Sequence, residues 1–206
     1  IMMDINNLYG RSMIDYLSIG QFRYIKEETI NDYNKNIDNF INKLSKIKEN
    51  NKYGYFICCD LEIPNHLHDK FNDYSIVVNK EKGEFSPLMN YIIENNKLFH
   101  KRNFNFKSSI MLIPTLKNQK EYLCHYRMLQ FMIKQGIKLK KIHYIIRFIQ
   151  KAFVSPYIDL NTELRKKAKS KFEKNIFKML NNSLYGKFIE NTRKYVNLKL
   201  LLNEDD

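Results

Sequence analysis

The chain has 206 residues, 44% of them hydrophobic and 28% charged, enough for one domain with its own core or for parts of two. That balance predicts a soluble globular chain and excludes a disordered one. No apolar run approaches ~18 residues, which excludes a transmembrane helix. The 35 Lys and Arg outnumber the 22 Asp and Glu, for a formal net charge of +13. Such an excess suits phosphate-bearing partners, whose counterions are released on binding; a solvated lysine-rich surface is the plain alternative. The charge is clustered, because 13 Lys and Arg but only three Asp and Glu stand between Lys134 and Lys178. Cys58, Cys59 and Cys124 are too few and too badly spaced for a disulfide framework or a zinc site, and read as buried thiols in a reducing compartment. The opening Ile1-Met2-Met3-Asp4 has no signal-peptide pattern and reads as a cut through a larger protein.

In chain order, Ile1 to Ser12 predicts a short apolar strand ending in a carboxylate, then a turn carrying Asn6, Asn7 and Gly10. Apolar residues at 30, 33, 37, 40, 41, 44 and 47 predict one amphipathic helix, ended by Asn50-Asn51. Tyr53 to Leu61, rich in Tyr, Phe, Ile and Cys, predicts a strand that Pro64 stops. The stretch from Asn65 to Lys107 reads as loop-rich, with short strands at Ser75 to Val78 and at Ser109 to Ile113. Asn118 and Glu121 resemble a capping box for a helix whose stripe is Tyr122, Tyr126, Leu129 and Ile133 and whose end is Gly136. Periodicity does not decide between strand and helix over Lys140 to Ala152. Ser155-Pro156 breaks the chain, and Asn161 or Thr162 is placed to cap one long final helix. On that helix Leu164, Ala168, Phe172, Ile176 and Met179 form an apolar face. Lys174, Lys178, Asn182 and Tyr185 fall together on another, extended by Lys167 and Lys171.

Two motifs lift the reading above a basic globular domain: Asp4-Ile5-Asn6-Asn7-Leu8-Tyr9-Gly10 and Lys178-Met179-Leu180-Asn181-Asn182-Ser183-Leu184-Tyr185-Gly186-Lys187. In this order they resemble motif A (D-x-x-S-L-Y-P) and motif B (K-x-x-x-N-S-x-Y-G) of family B DNA polymerases, in particular the protein-primed branch of bacteriophages, linear plasmids and Maverick/Polinton elements. Cys59 to Glu62, His66 to Asp69 and Tyr157 to Asn161 also look like stretches of the Maverick/Polinton mobile-element sequences. The resemblance implies an α+β fold that is part of a right-hand polymerase. Residues 1–20 would be a palm fragment, 21–150 a mixed α/β insertion with palm-associated strands, 151–190 the fingers helices, and 191–206 a return toward the palm.

The implied reaction is template-directed addition of deoxynucleotides to a 3′-hydroxyl by two Mg²⁺ ions during DNA replication. Its partners would be a DNA primer-template, a dNTP and, in protein-primed relatives, a terminal priming protein that meets the insertion. The resemblance makes Asp4 the catalytic metal-binding carboxylate, with the Ile5 carbonyl a further metal ligand. Tyr9 matches the steric gate under the deoxyribose. Lys178 would meet the triphosphate as a point charge, Asn182 would face the nucleotide, and Tyr185 would stack near the nascent base pair. Gly186 would let that pair approach without a Cβ in the way. Lys166, or its neighbour Arg165, matches a second phosphate-contacting residue of the fingers.

The sequence also departs from the family pattern. Asn7 and Gly10 stand where motif A usually has Ser and Pro, a variation shared with Maverick/Polinton-type sequences. Motif C (Y-x-D-T-D), which supplies the second metal-binding carboxylate, is not among these residues, nor is an exonuclease domain upstream. The 206 residues alone are therefore expected to be inactive or nearly so. The alternative reading is a non-catalytic DNA-binding remnant of a mobile-element polymerase. Asp60-x-Glu62 imitates an exonuclease carboxylate pair, but after motif A it reads better as a strand end. His66-x-His68-Asp69 reads better as loop polarity than as metal ligands.

Overall fold

The computed structural model describes residues 7–83, 85–95, 109–196 and 198. It has a mixed α/β architecture. The elements are α1 (Leu8–Met13), β1 (Leu17–Tyr24), α2 (Glu27–Lys35), α3 (Ile37–Ser45), β2 (Tyr53–Glu62), α4 (His68–Phe71), β3 (Val78–Lys82), α5 (Pro87–Asn95), β4 (Ile110–Pro114), β5 (Gln119–His125), α6 (Tyr126–Lys134), β6 (Lys138–Lys151), α7 (Ser155–Lys167) and α8 (Lys171–Ile189). Four strands form one sheet in the order β1-β6-β2-β5, and β3 pairs with β4 in a second. The β2–β5 and β3–β4 pairings are antiparallel. The chain divides into two compact units, one of Ile1–Phe22, Lys48–Gly54 and Phe148–Asp206, the other of Arg23–Ile47 and Tyr55–Arg147.

The second unit holds the larger core. Ile30, Phe40 and Leu44 from α2 and α3 join Ile57, Cys59 and Leu61 of β2, Leu129 and Met132 of α6, and Ile142 and Ile145 of β6. Side-chain amides complete its backbone pairing. Asn34 of α2 donates to the Ile142 carbonyl and accepts from the Ile142 N–H, both at 2.8 Å, in the manner of a neighbouring strand. Gln130 of α6 donates to the carbonyls of Leu44 and Ile47 at the end of α3. All three cysteines are free and buried.

Several expectations are corrected. The segment after Asn7 is not a turn but the helix α1, which begins once Asn7 takes the left-handed conformation (φ 57°). The stretch from Ile30 to Ile47 is two helices rather than one. Asn36 leaves helical geometry and its Oδ1 accepts from the Asn39 N–H, capping α3. The apolar period runs across this break because both helices bury onto the same core. Residues 119–125 are strand β5, not the first half of a helix, and Asn118 accepts from the Ile63 N–H instead of capping. Gly136, at φ +102°, does end α6. Lys138 to Lys151 is a strand. The loop-rich stretch contains two helices, α4 and α5, that the sequence did not suggest.

The expected long final helix is likewise two. Pro156 sits at the start of α7, so Asn161 and Thr162 lie inside that helix rather than at a cap. Ala168 turns to an extended conformation (ψ 130°), and Ser170 caps α8. Ser170 Oγ accepts from the Glu173 N–H at 3.1 Å, while the Glu173 carboxylate accepts from the Ser170 N–H. The break separates Leu164 from the rest of its supposed apolar face. Phe172 (74% exposed) and Met179 (60%) lie open to solvent.

Candidate nucleotide-binding cleft

Within the first unit, α1, α7 and α8 gather around a small apolar cluster of Met13, Val154 and Ile158, against which Ile14, Leu17, Leu184 and Tyr185 pack. This cluster sets the rotation of α8. At about 100° per residue, the inward direction falls on Asn181, Leu184 and Tyr185. Asn182, roughly 100° further round the helix, is half-buried, and Lys178 is exposed. Asn181 is 3% exposed and Asn161 of α7 is 4% exposed. The Asn161 Nδ2 donates to the Asn181 Oδ1 at 3.0 Å.

Beside this pair lies a cleft of about 550 Å³, lined by α1, α7 and α8. Arg11, Arg165, Lys166 and Lys174 bring four cationic side chains to it, and Asp159 brings the one carboxylate. Asp159 accepts from Ser155 Oγ at 2.8 Å. Asn181 forms part of the lining. Four like charges around one hollow repel each other, so the arrangement favours a multiply charged anion.

The expected site residues fall into three groups. Tyr9 and Tyr185 are brought together, their rings stacked with centroids 4.3 Å apart and planes 17° from parallel. Lys166 lines the cleft, as does its neighbour Arg165. Lys178, Asn182 and Gly186 stay on α8 outside the lining, and a Cβ added at Gly186 would meet nothing within 4 Å. Asp4 and Ile5 lie outside the described residues. Sequence reasoning missed Arg11, Asn161 and Asn181 as parts of one site. It had Lys174 on the basic face, but only the observed rotation of α8 distinguishes Lys174 from Lys178.

The Asp60-x-Glu62 motif of the second unit turns out to be engaged with other side chains. Asp60 Oδ1 lies 2.7 Å from His143 Nε2 and accepts from the Glu121 N–H at 2.9 Å. This happens where the β2–β5 register shifts between Cys59 and Leu61. Burial raises the Asp60 pKa, but the Glu121 N–H, His143 and Lys141 outweigh it and hold the carboxyl below its ordinary value. Lys140 at 2.9 Å and Lys138 at 3.4 Å hold Glu62, also with a lowered pKa. His66 and His68 line a separate hollow, where the buried His68 Nε2 has no partner among the described residues. Among the described residues no group of three or more His, Cys, Asp or Glu is placed to hold a metal ion. No helix described is long and apolar enough to cross a membrane.

Comparison with known proteins places the chain in a family. The family model for DNA polymerase type B, organellar and viral, matches residues 1–198. Among solved structures, Phi29 DNA polymerase in an orthorhombic crystal form is similar at a TM-score of 0.47 and 16% identity, over 91% of this chain. The chain spans 26% of the length of that polymerase. None of the curated proteins compared with it matches. With all but its last eight residues covered by the family model, the chain belongs to the organellar and viral type B DNA polymerases.

Proposed function

We propose that the chain is the nucleotide-binding part of a template-directed, protein-primed DNA polymerase, and that the basic cleft receives the triphosphate of the incoming deoxynucleotide. One observation carries this reading: the Tyr9–Tyr185 stack joins motif A to motif B in the same unit as a cleft with four cationic side chains. A triphosphate offers a matching run of negative charge. The guanidinium groups of Arg11 and Arg165 suit bidentate contact with phosphate oxygens, and Lys166 and Lys174 act as point charges. Tyr9 then lies under the sugar as the gate against a 2′-hydroxyl. Lys178 and Asn182 meet the nucleotide from outside the cleft lining, and Gly186 leaves room for the nascent base pair.

The same reading gives Asp4 and the Ile5 carbonyl to Mg²⁺. Hard oxygen donors of this kind are the ones Mg²⁺ takes. When bound, the metal supplies charge neutralisation and activation of the attacking hydroxyl. The residues described here bind and orient the nucleotide. Contacts with DNA and with a priming protein fall, on this reading, to the second unit.

Titration of the chain with a dNTP by calorimetry tests the proposal. Lys174→Gln and Lys166→Gln should each weaken binding about tenfold, the scale of one charge-assisted hydrogen bond. Each should also flatten the dependence of affinity on salt. Unchanged affinity in both variants would remove the triphosphate from this cleft.

A further inference from the structure

Asn182 is the amide that motif B specifies, whereas position 181 is unspecified in the motif pattern K-x-x-x-N-S-x-Y-G. In the structure the more deeply placed amide is the unspecified one. Asn181 is almost wholly buried, lines the cleft, and is bonded to an equally buried Asn161 on the facing helix. Helix packing by itself calls for an apolar residue at such a position, since burying an amide is costly unless it is paired. The pairing uses only the carbonyl end of the Asn181 amide. Its Nδ2 end donates to no acceptor among the described residues.

We propose that Asn161 and Asn181 are a positioning pair for the cleft. By holding the Asn181 Oδ1, Asn161 fixes which way the amide faces and so presents the Asn181 Nδ2 as an uncharged donor to a phosphate oxygen. This rests on the reading of the cleft as the triphosphate site. The same bond sets the two helix faces that matter. Arg165 lies one turn beyond Asn161, and Lys174 lies two turns before Asn181 on the same face of α8. An amide suits the place because a fifth cation would add to the repulsion among four, whereas a neutral donor discriminates for anions without that cost.

The test is calorimetric binding of inorganic tripolyphosphate to the full chain. In Asn161→Asp an ionised carboxylate can only accept, so the Asn181 amide turns its Nδ2 toward position 161 and its Oδ1 toward the ligand. Affinity should fall about tenfold relative to the parent. Lowering the pH until that carboxyl, which burial pushes up and the cations Arg11, Arg165, Lys166 and Lys174 pull down, is protonated makes it a donor again, so the ratio of parent to variant affinity should return toward one. A merely structural bond would not produce that recovery. Asn181→Leu, which keeps the volume and deletes the donor, should lose affinity at every pH. If both variants bind like the parent while Lys174→Gln binds weakly, the positioning role is wrong and the cleft reading stands. If Lys174→Gln also binds like the parent, both ideas fall.

Discussion

Tyr9 on α1 and Tyr185 on α8 lie ring on ring, 4.3 Å between centroids, and this contact ties the two sequence motifs together. Both rings keep exposed surface: Tyr185 is half-buried and Tyr9 exposed. On the proposed reading, a sugar lying on Tyr9 would find a ring whose other face is held by Tyr185. In a polymerase that contains these residues, Tyr9→Val should raise the incorporation of ribonucleotides relative to deoxynucleotides by at least tenfold, read by single-nucleotide extension. Tyr185→Ala should raise the KM for dNTP by removing the support, a stack worth about 0.5–1.5 kcal/mol. An unchanged sugar preference in the Tyr9 variant would sink the gate assignment.

Asp4 carries the metal assignment. In the same polymerase, Asp4→Asn should abolish extension while DNA affinity, measured by filter binding, changes less than about threefold, since one carboxylate contributes little to a phosphate-driven interaction. Extension at parental rate would show that Asp4 is not a metal ligand.

The Asp60–His143 pair makes the second unit sensitive to acid. The folded-state pKa of Asp60 lies below its ordinary value of about 3.8. Its contribution to stability is therefore fully present above that value and is lost as pH falls through the folded-state pKa. Asp60→Asn should lower the melting temperature at pH 7 by roughly 3–6 °C, the effect of about 1.5 kcal/mol from a charged hydrogen bond. The gap between parent and variant should narrow only as the pH falls below about 3.8, and close once the carboxyl is protonated in the folded state as well. A gap equally large above and below the pH at which the Asp60 carboxyl protonates, followed by its NMR titration, would mean that the ionised carboxylate is not what stabilises the β2–β5–β6 junction.

The capping box at Ser170 and Glu173 fixes where α8 starts. Ser170→Ala should cost about 1 kcal/mol, and hydrogen exchange should show the loss concentrated in the amides of residues 171–174. Uniform loss across the chain would indicate that the box does not set the helix boundary.

Legibility from sequence was uneven for physical reasons. Strand β2 was readable because Tyr53 to Leu61 is dense in residues that suit a pleated, buried surface. The break at Asn36 was not, because the apolar period continues through it and only the Asn36–Asn39 bond marks the new helix. Strand β5 was misread for a related reason: Asn118 and Glu121 have capping-box spacing, but the pairing of Phe56 to Leu61 with Gln119 to His125 overrides that local preference. In the site, Tyr9 and Tyr185 could be named from short motifs, and Lys166 from the resemblance of the segment before motif B. Arg11, Lys174, Asn161 and Asn181 could not be grouped, because their convergence depends on how far α8 is rotated. Apolar packing by Leu184 and Tyr185 on Met13, Val154 and Ile158 sets that rotation.

The interruption between α7 and α8 also determines where this region can change length. One residue inserted between Lys174 and Asn181 would swing Lys174 through about 100° relative to the buried amide and carry its charge out of the cleft. The same insertion at Lys169, where the chain is already extended, would leave both helices in phase with their neighbours. Length variation among related chains is therefore expected to collect at the 168–170 joint, while the spacing of seven residues from Lys174 to Asn181 stays fixed.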